Sequence, residues 1–321
     1  MNSKLLEIKD LTIEYRTDTE VAQAVNHVNL YIEKNETLGL VGETGAGKTT
    51  IALGIMGLVP DPPGKIVSGE ILFNGENLLK KTQQEMRVIR GKSISMVFQD
   101  PMTSLNPVLT VGEQIAEVIL LHSKLTKKEA YKEAAKMLVR VGISRDRFHE
   151  YPHQFSGGMK QRVVIAIAIA CNPTLLIADE PTTALDVTIQ FQVLQLINDL
   201  KHRLNTSMIL ITHDLGVVAE VCDRVAIIYA GEVIETGAIK DIFHNTKHPY
   251  TIGLFNSIPD LDNEQKRLQV IEGFMPDPFS LPSGCKFSPR CPHRNPECER
   301  FSVDLFNVAS EHQVRCLLYR V

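Results

Sequence analysis

Long apolar stretches are missing from this 321-residue chain. A helix needs roughly 18–20 apolar residues to cross a bilayer. The longest run, Val163 to Cys171, is about half that. Attachment to a membrane is therefore expected only through a partner. The N-terminus, Met1-Asn2-Ser3-Lys4, leads straight into a strand pattern and lacks the signature of a signal peptide. A cytosolic protein is the expectation. Strong charge of one sign is also missing: 34 Lys and Arg against 38 Asp and Glu give a net charge of −4. That balance implies no nucleic-acid partner and no attraction to an anionic bilayer. Cysteines number six, and in a cytosolic chain they are not expected to form structural disulfides. No internal repeat is visible. What remains is ordinary for a globular protein, with 44% hydrophobic and 22% charged residues. The length allows one large or two modest domains.

Leu6 to Tyr15 and Val25 to Ile32 alternate apolar and polar residues, as half-buried strands do. Thr37 to Val41 predicts a short buried strand, and helical spacing follows from Lys48 to about Leu58. Gly64 to Leu79 predicts short strands around turns such as Asn74-Gly75. Ile94 to Phe98 is another apolar strand. Val111 to Gly142 is helical, with Ala130, Ala134, Met137, Leu138 and Val141 on one face. Thr126 and Glu129 have the spacing of a capping box. Strands at Leu175 to Ala178 and Met208 to Thr212 bracket a helix from about Thr188 to Leu204. Such alternation predicts a parallel α/β core with a helical insert. From about His248 the composition shifts, and six prolines fall between Pro276 and Pro296. That density excludes a long helix or a central strand, so the segment is expected to be a separate, loop-rich appendix.

Gly42-Glu43-Thr44-Gly45-Ala46-Gly47-Lys48-Thr49 fits the phosphate-loop pattern after a strand and before a helix. The glycines let backbone N–H groups turn inward around phosphates, and the helix aims its positive end at them. Lys48 is expected to neutralise β- and γ-phosphate charge, and Thr49 to hold Mg²⁺. Thr50 is expected to reach the α-phosphate. Leu175 to Glu180 is the second element: a buried strand delivers Asp179 to the Mg²⁺ shell and Glu180 one residue beyond. Glu180 is the candidate base that orients the attacking water, in a reaction where positioning and charge stabilisation dominate. A third element is Phe155-Ser156-Gly157-Gly158-Met159-Lys160-Gln161-Arg162. Ser156 suits an N-cap, and the two glycines leave the first N–H groups of a helix uncovered, which makes an anion site. An ordinary capped helix does not account for glycines that weaken its first turn. Beyond Arg162 the helix is apolar all round and is expected to be buried.

A phosphate loop, a Ser-Gly-Gly helix start and an Asp-Glu pair in this order resemble the ATP-binding-cassette (ABC) ATPases over nearly the whole chain. The resemblance implies an α/β P-loop NTPase core with an antiparallel β subdomain, a helical insert at about 101–170 and a Pro/Cys-rich C-terminal appendix. The ATPase domain would then span 1–247 and the appendix 248–321. It further implies that Gln99 senses Mg²⁺ and water, and that His213 contacts the γ-phosphate. Tyr15 falls where the family stacks an aromatic on adenine. Asp186, in Thr183-Ala184-Leu185-Asp186, belongs to a loop that crosses to an opposing subunit. Alone, Gln99 and Asp186 are ordinary surface residues, His213 a capping or core residue and Tyr15 a core aromatic; order and spacing set them apart. Two cassettes of the family pack head to tail. Ser156, Gly157 and Gly158 of one close on the ATP held by the other, a copy or a paralogue.

Several segments resemble one branch, the ATP-binding subunits of dipeptide and oligopeptide importers, which also includes nickel importers. They are Phe-Ser-Gly-Gly-Met-Lys-Gln-Arg itself, Asp100 to Pro107, Ala184 to Thr188, His248-Pro249-Tyr250-Thr251 and Cys285 to Pro292. The resemblance implies ATP hydrolysis that powers uptake of short peptides, at the cytoplasmic face of the membrane. Two transmembrane permease subunits and, indirectly, an extracytoplasmic peptide-binding protein would be its partners. A soluble ABC ATPase acting on ribosomes or DNA is the alternative, but the double cassette or long coiled coil of such proteins is missing here. A regulatory binder without turnover would have a degraded site, whereas Lys48, Asp179, Glu180 and His213 are all intact.

Cys285, Cys291, Cys298 and Cys316 are spaced C-x5-C-x6-C-x17-C, which matches neither common zinc nor ferredoxin patterns. Four thiols in a short Pro-rich segment still suggest a metal staple, either zinc or an iron–sulfur cluster, with free thiols as the alternative. The resemblance to peptide-importer subunits implies [4Fe–4S]. His293 and His312 are near in sequence, but four thiols already complete either site. Cys171 and Cys222 sit in apolar stretches and are expected to be buried small residues.

Overall fold

The computed structural model describes residues 4–183, 185–257 and 270–320. Met1, Asn2 and Ser3 of the N-terminal motif and Ala184 of the Thr183–Asp186 motif lie outside the described residues. The chain divides into two compact units, one gathering Ile32–Thr37 and Lys80–Ile211, the other Leu5–Tyr31, Leu38–Leu79 and Thr212–Val321.

The first unit is built on three parallel strands, Ile94–Val97, Leu175–Asp179 and Ser207–Thr212, paired in that order. Every residue of the three is buried, and none alternates with a polar face. Continuous apolar strands of this kind belong to parallel sheets covered on both sides. Helix Gly157–Ile169 is buried at Val163, Val164, Ile165, Ala166, Ala168 and Ile169, as its all-round apolar sequence predicts. Each large side chain among them contributes about 1.5–3 kcal/mol by leaving water. The stretch expected to be helical from Val111 to Gly142 is two helices, Val111–His122 and Lys127–Arg140. The second restarts at Thr126, whose side chain and that of Glu129 form the expected capping box. Thr82 with Glu85 and Thr110 with Glu113 form two more. Reciprocal bonds of this kind stop one helix and start the next where apolar periodicity shows no break.

The second unit holds an antiparallel sheet in the order Val21–Glu33, Lys4–Arg16, Gly64–Phe73, Glu76–Asn77. Leu6 faces Phe73 and Ile8 faces Ile71 across it. It also holds the parallel pair Thr37–Val41 and Arg224–Tyr229, with Leu40 opposite Ala226. Strand Glu232–Ala238 adds antiparallel to Arg224–Tyr229. The hairpin Phe306–Ala309 and His312–Val314 continues from there, with Glu235 opposite Val314. The last strands of the segment 248–321, expected as a separate appendix, extend the sheet. Short strands escaped notice because three or four residues carry too little periodicity to register. Among the described residues, no helix is long and apolar enough to cross a membrane.

Candidate active site

Strand Thr37–Val41 runs into the phosphate loop, and helix Lys48–Met56 leaves it. Gly47 has φ 104, and a Cβ there would lie 2.4 Å from Ala24 O. Only glycine fits both the left-handed backbone and the close strand. Lys48 is buried, and its Nζ donates to Gly42 O at 2.8 Å and Glu43 O at 3.0 Å. The ammonium is thereby held against the backbone at the start of the loop. Thr44, Gly45 and Thr49 are exposed, and Thr50 is half-buried. Backbone N–H groups in such a loop, at the start of a helix, suit a polyphosphate.

Asp179 is the last residue of strand Leu175–Asp179 and is 2% exposed. Glu180 follows at φ 44, a left-handed conformation that costs a non-glycine residue of order 1–3 kcal/mol. Its N–H still donates to Ile211 O at 2.8 Å, so the turn is pinned to the neighbouring strand. Its carboxylate is gripped from two sides. Gln99 Nε2 donates to Glu180 Oε2 at 2.9 Å, and Thr183 Oγ1 donates to the same oxygen at 2.9 Å. Gln99 and Glu180, far apart in sequence, are thus brought together. Both donors meet the same oxygen and so fix the orientation of the carboxylate.

Ser156 caps helix Gly157–Ile169 by accepting from Met159 N at 3.4 Å. Ser156 and Gly157 are exposed, so the helix start faces outward. The two glycines differ. A Cβ on Gly157 would meet Leu185 Cδ2 at 3.7 Å, an ordinary contact, whereas one on Gly158 would lie 2.6 Å from Ile189 Cγ2. Gly158 therefore has a packing reason that sequence reasoning missed. Gln161 is buried and donates from Nε2 to Pro181 O at 2.6 Å, tying this helix to the residue after Glu180. Asp186 caps helix Val187–Leu204 by accepting from Ile189 N at 3.0 Å. His213 is exposed at the end of strand Ser207–Thr212. Tyr15 is half-buried opposite Gly64, where a Cβ would meet its Cε1 at 3.0 Å.

Cys285, Cys291, Cys298 and Cys316 line one cavity together with His248, Phe287 and His293. Burial pushes the Cys285 thiol up to about 12 and raises those of Cys291 and Cys316, with the neighbouring cysteines adding to each shift. Among the described residues, no three His, Cys, Asp or Glu side chains are grouped as ligands of one ion. The four cysteines are each half-buried. Cys222 is buried as expected, and Cys171 is half-buried.

The ABC transporter family model matches residues 25–183, and the model of the oligopeptide/dipeptide transporter C-terminal region matches residues 234–298. The oligopeptide transport ATP-binding protein AppD of Bacillus subtilis is 51% identical over 99% of this chain and 97% of its own. The oligopeptide transport ATP-binding protein OppD of Salmonella typhimurium is 49% identical over 92% of this chain and 88% of its own. The chain belongs to the ABC transporter family. Among solved structures, the dimeric ATP-binding cassette MJ0796 bound to ADP and Pi superposes with a TM-score of 0.66. It is 29% identical and covers 73% of this chain and 98% of that one. This chain is therefore an ABC-type ATPase coupled to transport.

Within this ABC ATPase, the bond from Thr183 to Glu180 is a contact that sequence reasoning passed over, since Thr183 was read only as part of a loop motif. Its signal was its place three residues after Glu180, from which its hydroxyl can turn back. Arg290 was also missed. It lies more than two hundred residues from the phosphate loop in sequence and yet donates to Glu43, which no local pattern announces.

Proposed function

We propose that the chain is the ATP-hydrolysing subunit that powers import of short peptides through partner transmembrane subunits. Its similarity along nearly its full length to oligopeptide and dipeptide transport ATP-binding proteins is the observation that carries this reading. The match of 234–298 to the C-terminal region of such transporters supports it, because that segment lies beyond the residues the ABC transporter model matches.

In this reading Gly42, Glu43, Thr44, Gly45, Ala46 and Gly47 wrap the phosphates, Lys48 neutralises their charge and Thr50 reaches the α-phosphate. Thr49, Asp179 and Gln99 hold Mg²⁺, which offsets charge on the phosphate oxygens. Tyr15 stacks on adenine. Glu180, fixed by Gln99 and Thr183, orients a water and takes its proton as the water oxygen bonds to the γ-phosphorus. The bond from that phosphorus to the bridging oxygen breaks, and His213 steadies the departing phosphoryl charge. Ser156, Gly157, Gly158 and Asp186 serve the ATP of a second cassette, a copy or a paralogue, packed head to tail. The assembly sits at the cytoplasmic face of the membrane on two permease subunits, which a peptide-binding protein outside supplies. Nucleic acid has no role.

The four cysteines would hold a [4Fe–4S] cluster as a staple: Cys291 follows the turn Ser288–Arg290, Cys298 lies in helix Pro296–Arg300 and Cys316 follows strand His312–Val314. Purified protein is expected to be brown, with iron and acid-labile sulfide. A colourless protein that carries zinc refutes the cluster.

The test of the function is uptake assays after deletion of this chain, together with purification of the intact chain from membranes. Loss of peptide uptake and copurification with membrane subunits are expected. Loss of nickel uptake with peptide uptake intact refutes the cargo, and copurification with ribosomes refutes the importer.

A further inference from the structure

The C-terminal segment reaches the phosphate loop through one side chain. Arg290 is 6% exposed at its side chain and donates from Nη1 to both carboxylate oxygens of Glu43, each at 3.0 Å. Its other bonds go to three further places. Nη1 also donates to Tyr229 Oη at 3.3 Å, Nε to Glu272 O at 3.0 Å and Nη2 to Ile271 O at 3.3 Å. The guanidinium thus ties the second residue of the loop to the end of strand Arg224–Tyr229 and to the chain at 271–272.

A second support comes from beneath. Tyr250 is fully buried, and its hydroxyl accepts from Glu43 N–H at 3.0 Å. Its ring lies 4.6 Å from that of Tyr229 and 5.4 Å from that of Phe287. The N–H of Glu43 therefore points away from the phosphate cradle, while its carbonyl accepts from Lys48. A third contact lies at the rim, where a Cβ on Gly45 would sit 3.1 Å from Met275 Cε.

We infer that Arg290 is a positioning residue for nucleotide binding: by neutralising and fixing Glu43 it holds the phosphate loop in its phosphate-accepting shape. The inference rests on the reading that this loop binds ATP. Two physical effects combine. An unpaired Glu43 carboxylate would stand beside a highly charged triphosphate and repel it. The fork of Arg290 also restrains a glycine-rich loop that has many other conformations open to it. The segment that carries the cysteines is in this way part of the support of the nucleotide site.

The test is nucleotide affinity and steady-state kinetics on the full chain in its complex. Arg290→Ala is expected to raise the Kd and KM for ATP roughly 10-fold, a loss typical of a charge-paired bond. The kcat should change little, because Glu180 and Gln99 are not touched. The cost of Arg290→Ala should shrink in a Glu43→Gln background, where no charge is left to neutralise. An unchanged Kd, or an equal loss with and without Glu43→Gln, overturns the inference. If Arg290→Ala does not fold, Arg290→Lys carries the test. It keeps the charge without the fork, and a several-fold rise in Kd is expected; wild-type affinity overturns the inference. Lys48→Ala separates the two readings. If it binds ATP normally, the loop is not the ATP site. If it loses ATP while Arg290→Ala does not, only the role of Arg290 falls.

Discussion

Alanine at Gly158 is a sharp test of how the Ser-Gly-Gly turn is built. The added Cβ would lie 2.6 Å from Ile189 Cγ2, roughly 1 Å inside the ~3.5–4.0 Å of a normal carbon contact. Forced overpacking of this size costs about 1–3 kcal/mol. Replacing glycine by alanine in a helix returns about 0.5–1 kcal/mol. Gly158→Ala should therefore lose about 0–2.5 kcal/mol of unfolding free energy by urea titration. Ile189→Ala removes the clashing methyl and leaves Ile189 Cβ at 3.8 Å, an ordinary distance. In that background Gly158→Ala should be neutral or stabilising by up to ~1 kcal/mol, a coupling of about 1–3 kcal/mol. Gly157→Ala is the control, since its nearest neighbour is 3.7 Å away; it should fold as well as the parent. Any fall in ATPase rate in Gly157→Ala is then a loss of function alone. Absence of coupling between positions 158 and 189 refutes the packing argument.

Glu180→Gln should bind ATP and hydrolyse it about 10²–10⁴-fold more slowly, and unchanged turnover removes Glu180 from the role of base. Thr183→Val deletes a donor to Glu180 and should lower kcat with little effect on KM; equal kcat values refute the orienting role. Thr110→Ala should cost about 1 kcal/mol by removing the cap of helix Val111–His122. Bonds from Thr110 hold the Glu113 carboxyl below its ordinary value. Its contribution is therefore complete above the ordinary carboxylate range and lost as pH falls through the depressed value. The stability gap between wild type and Glu113→Ala should close on acidification, and a gap that widens refutes the assignment.

The motifs of the site were legible because each is local. Gly42 to Thr49, Leu175 to Glu180 and Ser156 to Arg162 are runs in which backbone conformation, capping and side-chain chemistry sit within a few residues of one another. Helix Lys127–Arg140 declared itself by its apolar face and by Thr126 and Glu129. The break at Ser123 was hidden, since periodicity continues across it. The strands Phe306–Ala309 and His312–Val314 were hidden too. They are short, and pairing makes them strands: His312–Val314 with Glu232–Ala238, and Phe306–Ala309 with His312–Val314.

The sequence by itself determined the phosphate loop, the acidic strand end and the capped Ser-Gly-Gly helix. These need only neighbours in the chain to take their shape. Tertiary structure decided which groups act on them. Gln99 and Thr183 converge on Glu180 because a turn at φ 44 folds back between them. Ile189 fixes glycine at position 158 because two helix starts pack without room for a methyl. Arg290 meets Glu43 because the C-terminal chain returns to the loop where the chain's phosphate chemistry begins. Such meetings depend on distances in space, and spacing along the chain carries no trace of them.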